Sequence, residues 1–220
     1  MAKRHFAAAL LIGLFSATTT QAASVSFYLN QSNSLPDDVN YLQVNIADGA
    51  DGAIDFTVIA LQPLLDIAGE NFGIEKFAFN VLGGVGTWID NVTAMPTGWQ
   101  AGANTLVSGF GTYDLVVDHQ GSSGHDPVTF SITGIDLDTV MSYVGLSSGD
   151  SPQGPSFFSA YVGGFNFGDC ADTTARSKNC YNGAFFGGGT AVPAPAAIWL
   201  LGTAVGALVV RRRIRGTAAA

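Results

Sequence analysis

Positive charge is what this chain has least of. Of its 220 residues only nine are Lys or Arg, against 17 Asp and Glu. Six of the nine sit at the extremes: Lys3 and Arg4 at the start, Arg211, Arg212, Arg213 and Arg215 at the end. Between them remain Lys76, Arg176 and Lys178, so the interior carries a net charge of −14 against its 17 acidic residues. Nucleic acid and anionic phospholipid are held by clustered Lys and Arg. Neither is a ligand for that interior, whereas neutral glycans and divalent cations stay open.

Cysteine is scarce too: Cys170 and Cys180 are the only pair, in CADTTARSKNC. A metal site would want further Cys or His beside them, and the stretch has none. In an exported chain such a pair reads as a disulfide, worth roughly 2–3 kcal/mol for so short a loop. Long apolar runs are missing as well. The best is Ala196 to Val210, 15 residues, about 22 Å as a helix against a hydrocarbon core of ~30 Å. Finally, no stretch between the two ends sustains a 3.6-residue apolar period, which excludes a helical bundle.

What is present starts with an export signal. Lys3 and Arg4 form a basic n-region, Phe6 to Phe15 an apolar h-region, and Thr20-Gln21-Ala22 a small-residue exit. Residues 1–22 read as a secretory signal peptide cut after Ala22, too short in its apolar part to be an anchor. The other end, residues 192–215, has three parts in order. Val192-Pro193-Ala194-Pro195 is a proline strip, held extended because proline fixes φ and restricts its predecessor. The apolar helix 196–210 follows, with Gly202 and Gly206 spaced as G-x-x-x-G. The basic end 211–215 closes it and prefers the cytoplasmic side of a membrane. A short span beside an accessible strip reads as a temporary handle for a processing enzyme.

Those residues resemble the PEP-CTERM sorting signal of Gram-negative bacteria, in the variant Val-Pro-x-Pro-Ala-Ala-x-Trp-Leu. Val192, Pro193, Pro195, Ala196, Ala197, Trp199 and Leu200 match it, as do the terminal arginines. The Glu common between the prolines is Ala194 here. The resemblance implies recognition by exosortase, a membrane-embedded enzyme that cuts near the prolines. It further implies passage through the Sec machinery and transient residence in the inner membrane. Beyond that it implies delivery to the cell surface or matrix, in association with exopolysaccharide or biofilm. It covers the tail and says nothing of the domain being sorted.

The domain itself, residues 23–182, reads as strands. Val25, Phe27 and Leu29 alternate with polar neighbours, as do Leu42, Val44 and Ile46, then Phe56, Val58 and Ala60. Phe77 and Phe79, Leu115 and Val117, and Val128, Phe130 and Ile132 repeat the pattern. Period-two alternation of β-branched and aromatic residues marks half-buried antiparallel strands. Eight to ten of them predict an all-β antiparallel sandwich, jelly-roll-like, with an open barrel as the alternative. Leu61 to Gly69 and Asp136 to Val144 have room for a short helical turn each. Residues 183–191, GAFFGGGTA, read as a glycine linker between domain and tail.

Candidate chemistry is sparse. Gly145-Leu146-Ser147-Ser148-Gly149 matches G-x-S-x-G, but Pro152 and Pro155 follow where the hydrolase elbow needs a helix. His119 and His125 bracket a glycine-serine loop with Asp118 and Asp126 beside them, a weak candidate for zinc. Asp48, Asp51 and Asp55 invite calcium without EF-hand spacing. Trp88, Trp99, Tyr113 and Tyr161 offer faces for sugar stacking, Trp99 being the least core-like because it follows the Pro96-Thr97-Gly98 turn. The expectation is a non-enzymatic surface or matrix protein without a cofactor, with structural calcium left open and zinc at His119 and His125 the weaker metal candidate. A carbohydrate-binding module is the first alternative and a secreted hydrolase the second.

Overall fold

The computed structural model describes residues 22–82, 89–121, 124–166 and 182–191, the side chains of 190 and 191 excepted. Residues 1–21 of the expected signal peptide, Trp88, Cys170 and Cys180, and the whole expected sorting tail lie outside the described residues. The rest is all-β and antiparallel, as the alternation predicts. Ten strands run in the order β1 Ser24–Ser32, β2 Leu42–Asp48, β3 Ile54–Ala60, β4 Ala68–Phe79 and β5 Val92–Thr93, then β6 Trp99–Val107, β7 Gly111–His119, β8 Val128–Ile132, β9 Phe158–Phe165 and β10 Gly183–Ala191. They hydrogen-bond as one sheet, β5-β8-β3-β2-β1-β10-β9-β4-β7-β6. The one α-helical turn, α1 Gln62–Leu65, falls inside the stretch left open for one, and a 3₁₀ turn at Val140–Tyr143 inside the other.

The sheet wraps so that its two halves face each other across one core. Phe56 of β3 stacks on Phe130 of the neighbouring β8 with ring centroids 4.6 Å apart. The same ring meets Phe79 of β4 at 5.0 Å, although four strands separate β3 from β4 in the hydrogen-bonded order. Tyr143 closes the cluster edge-on at 5.7 Å. The alternating apolar positions make this core: Phe27, Leu42, Val44, Ile46, Phe56, Val58, Phe77, Val117, Val128 and Phe130 are all buried. Burying apolar surface is the dominant favourable contribution to folding. A smaller cluster of Ala78, Val107, Phe110, Tyr113 and Val116 lies on the other face of β4, β6 and β7.

Two sequence expectations change. Residues 183–191 are a strand rather than a linker: β10 pairs with β1 from Ser32↔Phe186 to Phe27↔Ala191 and with β9 from Gly183↔Gly163 to Gly188↔Phe158. Glycine content signalled flexibility, but the glycines serve close packing. A Cβ on Gly187 would stand 2.2 Å from Phe110 Cδ1, so only glycine lets that ring lie on the strand. Phe186, on the opposite face, is fully buried against Tyr41 at 4.9 Å. The second change is Trp99, which is 8% exposed and opens β6 directly after the turn. Gly98, at φ +82, lets the chain reverse so tightly that the Trp99 N–H donates to the Pro96 carbonyl.

Candidate functional site

Three of the singled-out residues meet at one end of the sheet. Trp99 pairs with His119 across β6 and β7, and His125 bridges to Ile74 of β4 through two backbone hydrogen bonds of 2.9 Å. That bridge needs glycine on both sides, since a Cβ on Gly124 would stand 2.4 Å from the Gly73 backbone. The rings then converge: His119 to His125 5.9 Å, Trp99 to His125 6.0 Å, Trp99 to His119 6.3 Å. Glu75, which nothing in the sequence pattern marked, lies close by. Burial pushes its carboxyl above the usual carboxylate range, and His119 pulls it partly back. Its side chain lies across Gly163, where a Cβ would stand 2.1 Å from Oε1. Tyr161 is raised in turn, by burial first and by Glu75 second.

The hydrogen bonding bears on metal chemistry. The Gly121 N–H donates to His119 Nδ1 at 3.0 Å, which assigns the neutral ring's proton to Nε2. A metal-bound histidine shows the reverse: the ring nitrogen away from the metal is a donor. Among the described residues no three His, Cys, Asp or Glu side chains group as metal ligands. Two of the three aspartates raised for calcium are engaged within the protein. Asp48 Oδ2 accepts from the Ala23 N–H and Asp55 Oδ1 from the Ser131 hydroxyl.

Ser147 is not placed as a nucleophile. It is 8% exposed, and its Oγ accepts from the Ser156 N–H at 3.1 Å. Ser156 in turn hydrogen-bonds Tyr113. Tyr113 and His119 stand six positions apart on β7, about 20 Å at the rise of a strand. Serine and histidines therefore occupy different ends of the sheet. Comparison of the chain with known families, characterised proteins and solved structures returns no match. The arrangement must be read from its own chemistry.

Of the four aromatics raised for sugar stacking, Trp99 and Tyr113 are buried, and half-exposed Tyr161 has one face against Phe185 at 4.8 Å. What the sequence reading passed over are the polar partners of the alternation. Register places Ser26, Asn45, Thr57 and Thr129 side by side across β1, β2, β3 and β8 on the outer face. The next row is Tyr28, Gln43 and Ile59, and another is Asp55, Ser131 and Thr93. Asp55, Thr57, Thr129, Ser131 and Ala94 line a cleft of about 310 Å³. Hydroxyls, amides and one carboxylate on a flat face can hydrogen-bond a polyhydroxylated ligand. The signal was there: apart from Ala47 and Ile59, every second residue of these strands is polar, and most are uncharged.

Two consequences follow for stability. The indole N–H of Trp99 is buried without a hydrogen-bond partner, a state that costs about 1–3 kcal/mol. Trp99→Phe relieves that cost while losing some ring volume, so its urea midpoint should stay near that of the wild type. Trp99→Ala, which empties the site, should lose about 3–5 kcal/mol. Separately, Asp126 is raised by burial despite accepting the Ala60 N–H. Glu75 and Asp126 therefore bind protons more tightly folded than unfolded. Their contribution rises as pH falls from the raised folded value toward the ordinary carboxylate value and is lost as pH climbs through it. Glu75→Gln with Asp126→Asn should show a smaller rise in urea midpoint on acidification than wild type.

Proposed function

We propose that this chain is an exported, non-enzymatic surface or matrix protein, sorted through the inner membrane by exosortase after delivery by the Sec machinery. Its role is structural or adhesive, in contact with extracellular polysaccharide. The observation that carries the reading is the tail, where Val192, Pro193, Pro195, Ala196, Ala197 and Trp199 precede an apolar run and Arg211, Arg212 and Arg213. Signal-peptide cleavage at Ala22 and a Cys170–Cys180 disulfide belong to the same proposal. Pro193→Ala with Pro195→Ala, in a host carrying exosortase, should leave uncut precursor in the inner membrane. Normal release of that variant sinks the claim.

A carbohydrate-binding module is the second reading, favoured by the polar rows on β1, β2, β3 and β8 and the cleft they border. With Trp99 and Tyr113 buried, recognition would rest on hydrogen bonds and on Tyr28 rather than on a strip of stacked rings. In affinity electrophoresis the protein should be retarded by neutral dextran and not by anionic alginate. Asp55→Ala with Thr57→Ala should weaken retardation about tenfold, corresponding to ~1.4 kcal/mol. Unchanged retardation would move the contact elsewhere on the molecule.

A further inference from the structure

The apolar side chains that stay exposed are not scattered. Among the described residues seven large ones are more than two-fifths exposed; Leu82, Ile89, Leu137, Met141 and Leu146 gather at one end, and Leu106, opposite Thr112 on the edge strand β6, is level with them. Register places them there. Gly188 of β10 pairs with Phe158 of β9, and Phe158 with Phe79 of β4. Leu82, three residues past Phe79, therefore stands level with Ala191, three past Gly188. The Leu82 N–H donates to the Ser142 carbonyl beside Met141. A Cβ on Gly145 would meet Leu82 at 3.0 Å, which brings the adjacent Leu146 to the same rim. Leu146 shares a cavity wall with Gly188 and Gly189. Ile89 precedes Val92, the partner of Ile132 on β8, and Leu137 follows it. Leu137 is 98% exposed at φ +65, a conformation that disfavours a leucine yet holds this one out in solvent.

This is also where both ends of the chain leave the domain. Ala23 donates its N–H to Asp48 at the end of β2, and Ala191 pairs with Phe27. Because β10 runs to Ala191, only the four residues 192–195 separate the sheet from the apolar run that begins at Ala196. Fully extended, they span about 14 Å, roughly twice the polar layer on one side of a bilayer. With the tail inserted, this end of the domain is held within about 14 Å of the hydrocarbon boundary.

We propose that the rim of Leu82, Ile89, Leu137, Met141 and Leu146 seats the precursor on the bilayer surface while its tail is inserted. The inference rests on the sorting reading of the tail. Charge sets its terms. Asp48, Asp51, Asp90, Asp136 and Asp138 stand at the same end, and Lys76, the only basic residue among those described, pairs with Asp118 at the other. The seat therefore suits a zwitterionic surface and is repelled by an anionic one. The tether holds the rim at high effective concentration, so cutting the tail releases a contact too weak to persist alone.

Hydrogen exchange of residues 133–146 tests this with the tail-bearing chain of residues 23–220 in vesicles of phosphatidylcholine. The result expected is severalfold slower exchange than in a chain ending at Ala191. That protection should weaken when half the lipid is phosphatidylglycerol, and disappear in Leu137→Ser with Met141→Ser. A tail that resists carbonate extraction while the loop exchanges freely overturns the seat and leaves the sorting reading intact. A tail that carbonate extracts overturns both. Protection that persists in the chain ending at Ala191 and grows with protein concentration assigns the rim to a second copy and overturns the lipid seat.

Discussion

A chain that stops at Asn182 will lose cooperative folding, while one that stops at Ala191 will keep it. The difference is β10 alone. Its removal strips β1 and β9 of their shared partner and leaves two unpaired strand edges in the middle of the sheet. It also empties the site of Phe186, which is fully buried and packs on both Tyr41 and Phe165. Losing one buried phenylalanine costs about 3–5 kcal/mol, against a total stability of roughly 5–15 kcal/mol for a domain. The exposed backbone groups and the lost Ala184 contact add to it. Calorimetry should show a single unfolding endotherm for residues 23–191 and none for residues 23–182. A sharp endotherm from the shorter chain would mean that the sheet closes without its central strand.

Phe56→Ala should be the most damaging single core truncation. Its ring contacts Phe77, Phe79, Phe130 and Tyr143, joining β3 to β4 across the core and β8 to the Val140–Tyr143 turn. The expected cost is about 3–5 kcal/mol, since the surrounding rings cannot all collapse into the space left. Phe56→Leu, which keeps much of the volume, should cost less. Urea titration followed by tryptophan fluorescence reads both. If Phe56→Ala shifts the midpoint no more than Phe56→Leu does, the two halves of the sheet are not held together here.

The strands that the sequence declares openly are those with one apolar face. β1, β2, β3 and β8 carry the alternation, and each buries the side chains it was expected to bury except Val25, which is half-buried. β6 and β10 were illegible for different reasons. β6 is an edge strand whose residues Gln100 to Leu106 are largely exposed, so apart from Trp99 and Val107 it shows little apolar face. β10 hides its apolar period behind glycines that answer to Phe110 and Phe157, residues distant in sequence. The histidine pair could be drawn from sequence because it brackets a short glycine-serine stretch. Glu75 could not, because only the β4–β7 pairing carries it to that end. The polar rows on the outer face need the register of four strands at once, which no single strand reveals.

The first strand and the last one pair, and that fixes an order of events. A chain emerges from its ribosome amino end first, and β1 must wait through more than 150 residues for the partner it meets at Gly187 and Ala191. Contacts so far apart in sequence form late and slowly. On the export route proposed above, residue 191 would clear the channel only when the apolar run behind it is already entering. On that route, completion of the fold and arrival of the tail would be one moment, and the fold itself would time its own delivery.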